Sequence, residues 1–228
     1  TKELIRSKKW KIRAVYVGGG TPTSIGAQAL DRVLEYCHFG AREFTVEAGR
    51  PDTIDEDIVA VMQKHGVTRV SVNPQTFNDK TLEIIGRRHK SAQTYNAYML
   101  VRDKFDVNMD LIACLPDETF EDFKRSVDIA VALNPANITV HTLYMKKGSA
   151  LKQGGYDNTD FETASKMVDY AYSKLTESGY EPYYMYRQKY TSGNLENVGY
   201  AKPNKACIYN VDIMEEDTSI IANGANAI

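Results

Sequence analysis

The chain has 228 residues, 43% hydrophobic and 25% charged, with a formal net charge of −2. That is an ordinary globular balance with length for one large α/β domain or two small ones. The charge favours neither a nucleic-acid backbone nor an anionic membrane as partner, and no apolar run reaches the ~18 residues of a membrane span. Three widely scattered cysteines (Cys37, Cys114 and Cys207) argue against a disulfide framework and fit a reducing cytoplasm. No two of them have metal-site spacing, so on their own they predict no metal site.

In chain order, the β-branched run 12–17 (IRAVYV) predicts a strand closed by three glycines. Residues 25–37 place Leu30, Val33, Leu34 and Cys37 at helical spacing. A strand is predicted over 43–48. An amphipathic helix follows over 54–66, acidic at its start and ended by Gly66. Residues 67–72 read as a strand, and DKTLEIIG and SAQTYNAYMLVRDKF as helices. A strand over 106–113 leads to a helix over 119–134, opened by a capping-box pattern at Thr119 and Asp122. Then come a strand over 136–144, a helix over 160–179 and late strands over 180–186 and 218–223. The stretch 187–217, rich in Asn, Gly and Tyr in its first part, reads as an irregular segment within one domain.

Strands alternating with helices of this length imply βα units and a parallel sheet, and the short apolar strands suggest that both faces are covered. At least five units in succession suit a barrel or partial barrel. Both ends of the chain look cut, since it starts without Met and stops just after an apolar run.

In such folds ligands bind beyond the carboxyl ends of the strands. The polar residues predicted there are Gly18-Gly19-Gly20-Thr21, Glu47, Asn73, Gln75, Asp110 and Tyr144, with His141 earlier on its strand. The glycine run lacks both the Rossmann and the P-loop spacing. It is either a tight strand-to-helix turn or a close ligand contact. Glu47 is either a ligand contact or the ion-pair partner of Arg50 or Arg69. Gln75 could cap backbone groups, and Asp110 could cap a loop or pair with Arg87. His141 reads as a barrel-lining residue, and Tyr183, Tyr184 and Tyr186 as core and rim packing.

Taken together, VYVGGGTPT, FTVEAGRPD, VSVNPQTFND, IIGRRH, NMDLIACLPDETFEDF, LNPANITVHTLY and NLENVGYAKPNKACIYN resemble, in order and spacing, the radical S-adenosylmethionine (SAM) enzymes similar to oxygen-independent coproporphyrinogen III oxidase. The likeness runs from about residue 12 to 228. It implies an α/β fold, a parallel incomplete (β/α) barrel whose first strand lies upstream of this excerpt. It implies that Gly19, Gly20 and Thr21 lie against the methionyl end of SAM, where only backbone without Cβ comes close. Glu47 would bond the ribose or other polar SAM groups, Gln75 and Asp110 further polar edges, and Arg87 the carboxylate. The backbone of Tyr144 and Ile228 would meet the adenine. The family's cysteine loop for a [4Fe–4S] cluster would precede residue 1. The excerpt alone is therefore expected to be inactive, with no metal ligands of its own. The exposed edge beside 12–17 is expected to be capped by residues 1–10 or paired in a dimer. The complete enzyme would take a porphyrinogen, receive an electron from a donor, and oxidatively decarboxylate coproporphyrinogen III to protoporphyrinogen IX in heme biosynthesis. The other activity that the resemblance allows is that of a heme-binding chaperone. ACLPDET departs from the family's GLP-G form by placing Cys114 and Asp117 where glycines are usual.

Overall fold

The structure is a computed structural model and describes residues 2–143, 160–186, 195–216 and 218–224. Seven strands form one curled half-barrel sheet in the order β1-β2-β3-β4-β5-β7-β6. They are β1 (Ala14–Val17), β2 (Glu43–Val46), β3 (Arg69–Ser71), β4 (Asp106–Ala113), β5 (Asn137–Thr142), β6 (Glu181–Tyr186) and β7 (Asn197–Ala201). β1 to β5 run parallel, each next to its sequence neighbour, as consecutive βα units require.

The parallel expectation fails at the far edge. β7 pairs antiparallel with β5, and β6 antiparallel with β7. β7 lies between β5 and β6, so β6 is the outer strand. β7 lies inside the stretch expected to be irregular. Its glycine and two polar residues hide a strand that is buried at four of its five positions. The expected strand 218–223 does not form either: its residues carry no sheet pairing and are largely exposed. An apolar run without a neighbouring edge has nothing to complete its hydrogen bonds.

The helices are α1 (Lys2–Lys8), α2 (Ala27–Glu35), α3 (Glu56–Lys64), α4 (Asp79–Ile84), α5 (Ser91–Val101), α6 (Phe120–Leu133), α7 (Phe161–Glu177) and α8 (Ile208–Glu215). Local chemistry starts them where the sequence indicates. Asp55 accepts from the Ile58 amide at the start of α3, and Thr119 and Asp122 close a reciprocal capping box on α6.

β4 alternates half-exposed and buried positions along its whole length. Val107, Met109, Leu111 and Ala113 are buried, while Asp106, Asn108, Asp110 and Ile112 line the concave side. The outer face packs in two apolar clusters. One is built on Leu30, Leu34, Val46, Met62, Val70 and Met109, the other on Leu111, Phe123, Val127, Ile138, Met167 and Leu175. β4 is thus not covered alike on its two faces, whereas β2, β3 and all of β5 but His141 are buried at every position, as the short apolar strands lead one to expect. The convex side is packed by apolar residues, and the concave side carries the polar ones.

α8 spans the open side of this trough. Tyr209 stacks on Tyr16 of β1 with ring centroids 4.0 Å apart, Asn210 donates to the Tyr183 hydroxyl of β6, and Asp212 pairs with Arg13 at 3.1 Å. The helix is therefore tied to both flanks of the sheet. β1 pairs only with β2 among the described residues, and α8 reaches it through the ring of Tyr16.

Candidate active site

Two carboxylates four residues apart point into the same trough. At the strand amino-end, Glu43 accepts from Arg69 Nε at 2.9 Å. The same guanidinium donates to Asn108 Oδ1 and to the carbonyl oxygen of Lys205. Glu43 also accepts from the Tyr209 amide and the Cys207 thiol. Glu43 and Arg69 are both nearly inaccessible. This is a paired, hydrogen-bonded plug, as buried charge requires.

At the carboxyl end of β2 sits Glu47. The two ion-pair partners that the sequence offered it are engaged elsewhere: Arg50 binds Asp52 at 2.6 Å, and Arg69 binds Glu43. Glu47 instead shares the space over Gly18 with the Tyr16 ring, and its electrostatic neighbours are Tyr16, the Gly19 backbone and Asp110. Burial pushes its carboxyl above the usual range, Tyr16 pulls it part of the way back, and the nearby Asp110 carboxylate raises it again. The Tyr16 phenol is held far above its usual range by burial and by Glu47.

The glycine run is shaped by both of its neighbours. A Cβ on Gly18 would come within 2.5 Å of the Tyr16 ring and 2.7 Å of Glu47 Oε2. Gly19 and Gly20 have φ of 86° and 133°, a region that L side chains avoid, and each faces open space. The loop is anchored by Thr23, which donates to the Ala48 carbonyl and lies 2.6 Å from the Thr53 hydroxyl. Thr21 makes no side-chain cap on the short 3-10 turn that follows, and its carbonyl accepts from the Ser24 amide and hydroxyl.

Gln75 takes φ 64° and joins β4 through its backbone, donating to the Asp110 carbonyl and accepting from the Ile112 amide. It is buried beside Asp110. Arg87 is half-buried; desolvation and the neighbouring Arg50 lower its pKa, and Asp110 and Asp52 oppose that. His141 Nδ1 lies 3.1 Å from the Tyr186 hydroxyl, and its Nε2 lies 3.8 Å from Asp110 Oδ1. Tyr184 bonds Thr139 and stacks near Tyr186.

Gly19, Glu47, Asp110, Arg87 and the Gln75 backbone thus converge at one end of the trough. Gly20 and Thr21 lie on the adjoining loop. Tyr144 and Ile228 lie outside the described residues. Tyr186, read from the sequence as rim packing, also belongs to this space beside His141 and Asp110, and so do Tyr16 and Tyr209, which were missed. The apolar look of β1 hid Tyr16, although its period-two position opposite Thr45 places it on the polar face.

Cys114 and Asp117 take φ of 66° and 59°. The two positions where the resemblance leads one to expect glycine are therefore left-handed here too, and the backbone path is kept with non-glycine residues. No group of three or more His, Cys, Asp or Glu among the described residues could hold a metal ion. The described helices include none long and apolar enough to cross a membrane.

Residues 1–130 match the Radical SAM superfamily. The chain is 42% identical to the oxygen-independent coproporphyrinogen-III oxidase-like protein HemZ of Bacillus subtilis, over 99% of this chain and 47% of that protein. It is 30% identical to the heme chaperone HemW of Lactococcus lactis, over 76% of this chain and 48% of that protein. The fold is similar to that of coproporphyrinogen III oxidase HemN from Escherichia coli, with a TM-score of 0.69 at 20% identity, covering 84% of this chain and 43% of that one. The chain spans about half the length of the curated relatives that it matches. With the superfamily match across more than half of the chain and the half-barrel that carries it, this chain belongs to the radical SAM superfamily.

Proposed function

We propose that the carboxyl-end mouth of the trough binds S-adenosylmethionine. The observation that carries this reading is the charge pattern there. Among the described residues Glu47 has no ion pair and Asp110 has only His141 at 3.8 Å; the half-buried Arg87 acts electrostatically on Asp110, and Gly19 and Gly20 each face open space. SAM carries a sulfonium, an ammonium, a carboxylate and ribose hydroxyls, and this donor set fits it. Gly19, Gly20 and Thr21 receive the methionyl end, Glu47 the ribose hydroxyls, Gln75 and Asp110 further polar edges, and Arg87 the carboxylate. Tyr144 and Ile228 complete the adenine side. Bound SAM supplies hydrogen-abstraction chemistry, and the residues named bind it, orient it and exclude water. The three cysteines do not fit an iron–sulfur cluster: Cys37 packs against the first apolar cluster, Cys114 lies in the second, and the buried Cys207 thiol donates to Glu43.

For the whole protein we propose an oxidoreductase that decarboxylates a porphyrinogen propionate, converting coproporphyrinogen III to protoporphyrinogen IX. The likeness to HemZ over nearly the whole chain supports this. The likeness to HemW supports a second reading, heme delivery. His141 is a poor axial ligand for it, because both of its ring nitrogens already face partners. Calorimetric titration with SAM tests the site: Arg87→Met should weaken binding by at least about tenfold, the lower range for a hydrogen-bonded charge. Unchanged affinity contradicts it. Product analysis with a porphyrinogen, beside a heme titration followed by visible absorbance, separates the two activities.

A further inference from the structure

The SAM reading leaves the far wall of the mouth, built by β5 and β6, without a role. There His141 stands between two partners. Its Nδ1 lies 3.1 Å from the Tyr186 hydroxyl, and its Nε2 lies 3.8 Å from Asp110 Oδ1. β6 reaches β5 across β7. Tyr184 lies over Gly199, where a Cβ would strike its ring, and bonds Thr139. Tyr186 runs parallel to it, with ring planes 6° apart, and meets His141. The imidazole is thus held from one side and turns the other to Asp110. We infer that His141 is a positioning residue for Asp110, a role that rests on the proposal that the mouth binds SAM. Neutral, it aims an N–H at the carboxylate and leaves it open to a cationic part of the ligand. Protonated, it takes that cation's place.

Proton placement and distance decide between these states. With its proton on Nδ1, the neutral ring would turn a lone pair toward Asp110, acceptor against acceptor. The carboxylate therefore selects the Nε2–H form, and the Tyr186 hydroxyl donates to Nδ1. At 3.8 Å the gap to Asp110 exceeds a hydrogen bond, whereas Arg69 closes on Glu43 at 2.9 Å. Asp110 is oriented and not sealed. A proton added at Nδ1 turns the Tyr186 hydroxyl from donor to acceptor, so the charged ring keeps its place. Asp110 is also within electrostatic reach of Tyr16 from β1, Glu47 beyond β2, Arg87 beyond α4 and Tyr184 and Tyr186 from β6. β7 brings no charged side chain. Of these side-chain types, imidazole is the one that gains a positive charge between about pH 5 and 8.

The test is SAM affinity at about pH 8 and about pH 6, by calorimetry on the full-length protein, for the natural chain, His141→Gln and His141→Lys. The natural chain should lose about tenfold in affinity between the two, the scale of one contact to a charged group, as His141 takes up a proton. His141→Gln should bind about threefold more weakly at the higher pH, because the ring that orients Asp110 is gone, and lose no more than about threefold on acidification. The two curves then meet or cross. His141→Lys, a cation at both values, should bind about tenfold more weakly than the natural chain at the higher pH and change little below it. An acid loss in His141→Gln equal to that of the natural chain would overturn the inference and leave the SAM reading standing, as would a folded His141→Lys that binds as tightly as the natural chain at the higher pH. Absence of SAM binding by the natural protein would overturn both.

Discussion

Glu43 and Glu47 stand one above the other on the same strand line, and they live differently. Glu43 is sealed by Arg69, whose guanidinium also holds Asn108 and the backbone at Lys205. Glu47 has no ion pair among the described residues; its electrostatic neighbours are the Tyr16 phenol, the Gly19 amide and another acid, Asp110. A carboxylate whose charge is matched inside the protein closes the trough. One whose charge is left for something else to match marks where a ligand belongs. The difference separates the floor of the trough from its mouth more sharply than burial alone does.

The largest effect expected from this contrast is at the floor. Arg69→Met leaves Glu43 buried without its cation and should cost about 3–5 kcal/mol of folding stability, as broken buried pairs do. Urea unfolding measures it, and a loss under about 1 kcal/mol would mean that the pair is not the plug described, since exposed pairs are worth that much.

A third buried carboxyl sharpens the comparison because it is neither salt-bridged nor open to a ligand. Glu118, 9% exposed, is bonded by the Thr76 hydroxyl, and burial raises its pKa from 4.5 to about 7. The folded chain therefore holds a proton that the unfolded chain releases between those values. From this group, stability falls as pH rises from 4.5 to about 7 and stays low above it. Glu118→Gln should flatten that slope and raise stability at pH 8 by up to about 3 kcal/mol. A steeper slope in the variant would contradict the assignment. The smallest effect is next door. Asp117 is exposed and left-handed, so Asp117→Gly should gain about 1 kcal/mol by relieving the backbone, read as a rise in the unfolding midpoint.

The parallel half was legible because each unit carries its own signals. Apolar strands, caps at Asp55 and Thr119 and a closing Gly66 all agree with the final fold. The antiparallel edge was not. β7 is polar and glycine-containing and gains its order from Ile138 and Tyr184 on either side, which no local pattern reveals. α8 has no single apolar face, since it touches β1 with one side and β6 with another. At the mouth, the strand-end rule found Glu47 and Asp110. It missed Tyr16 and Tyr209, because their meeting depends on a helix 193 positions further on closing over the first strand.

The contrast is tested most directly by replacing each carboxylate with its amide and reading stability and SAM affinity side by side. Glu47→Gln should leave the urea midpoint unchanged or higher and weaken SAM binding by about 1–3 kcal/mol. Glu43→Gln should lower the midpoint and leave the affinity of the folded protein within about twofold, the scale of an effect that does not reach the ligand. An unstable Glu47→Gln that binds SAM as tightly as the natural protein would contradict the account, for Glu47 would then be a structural group like Glu43.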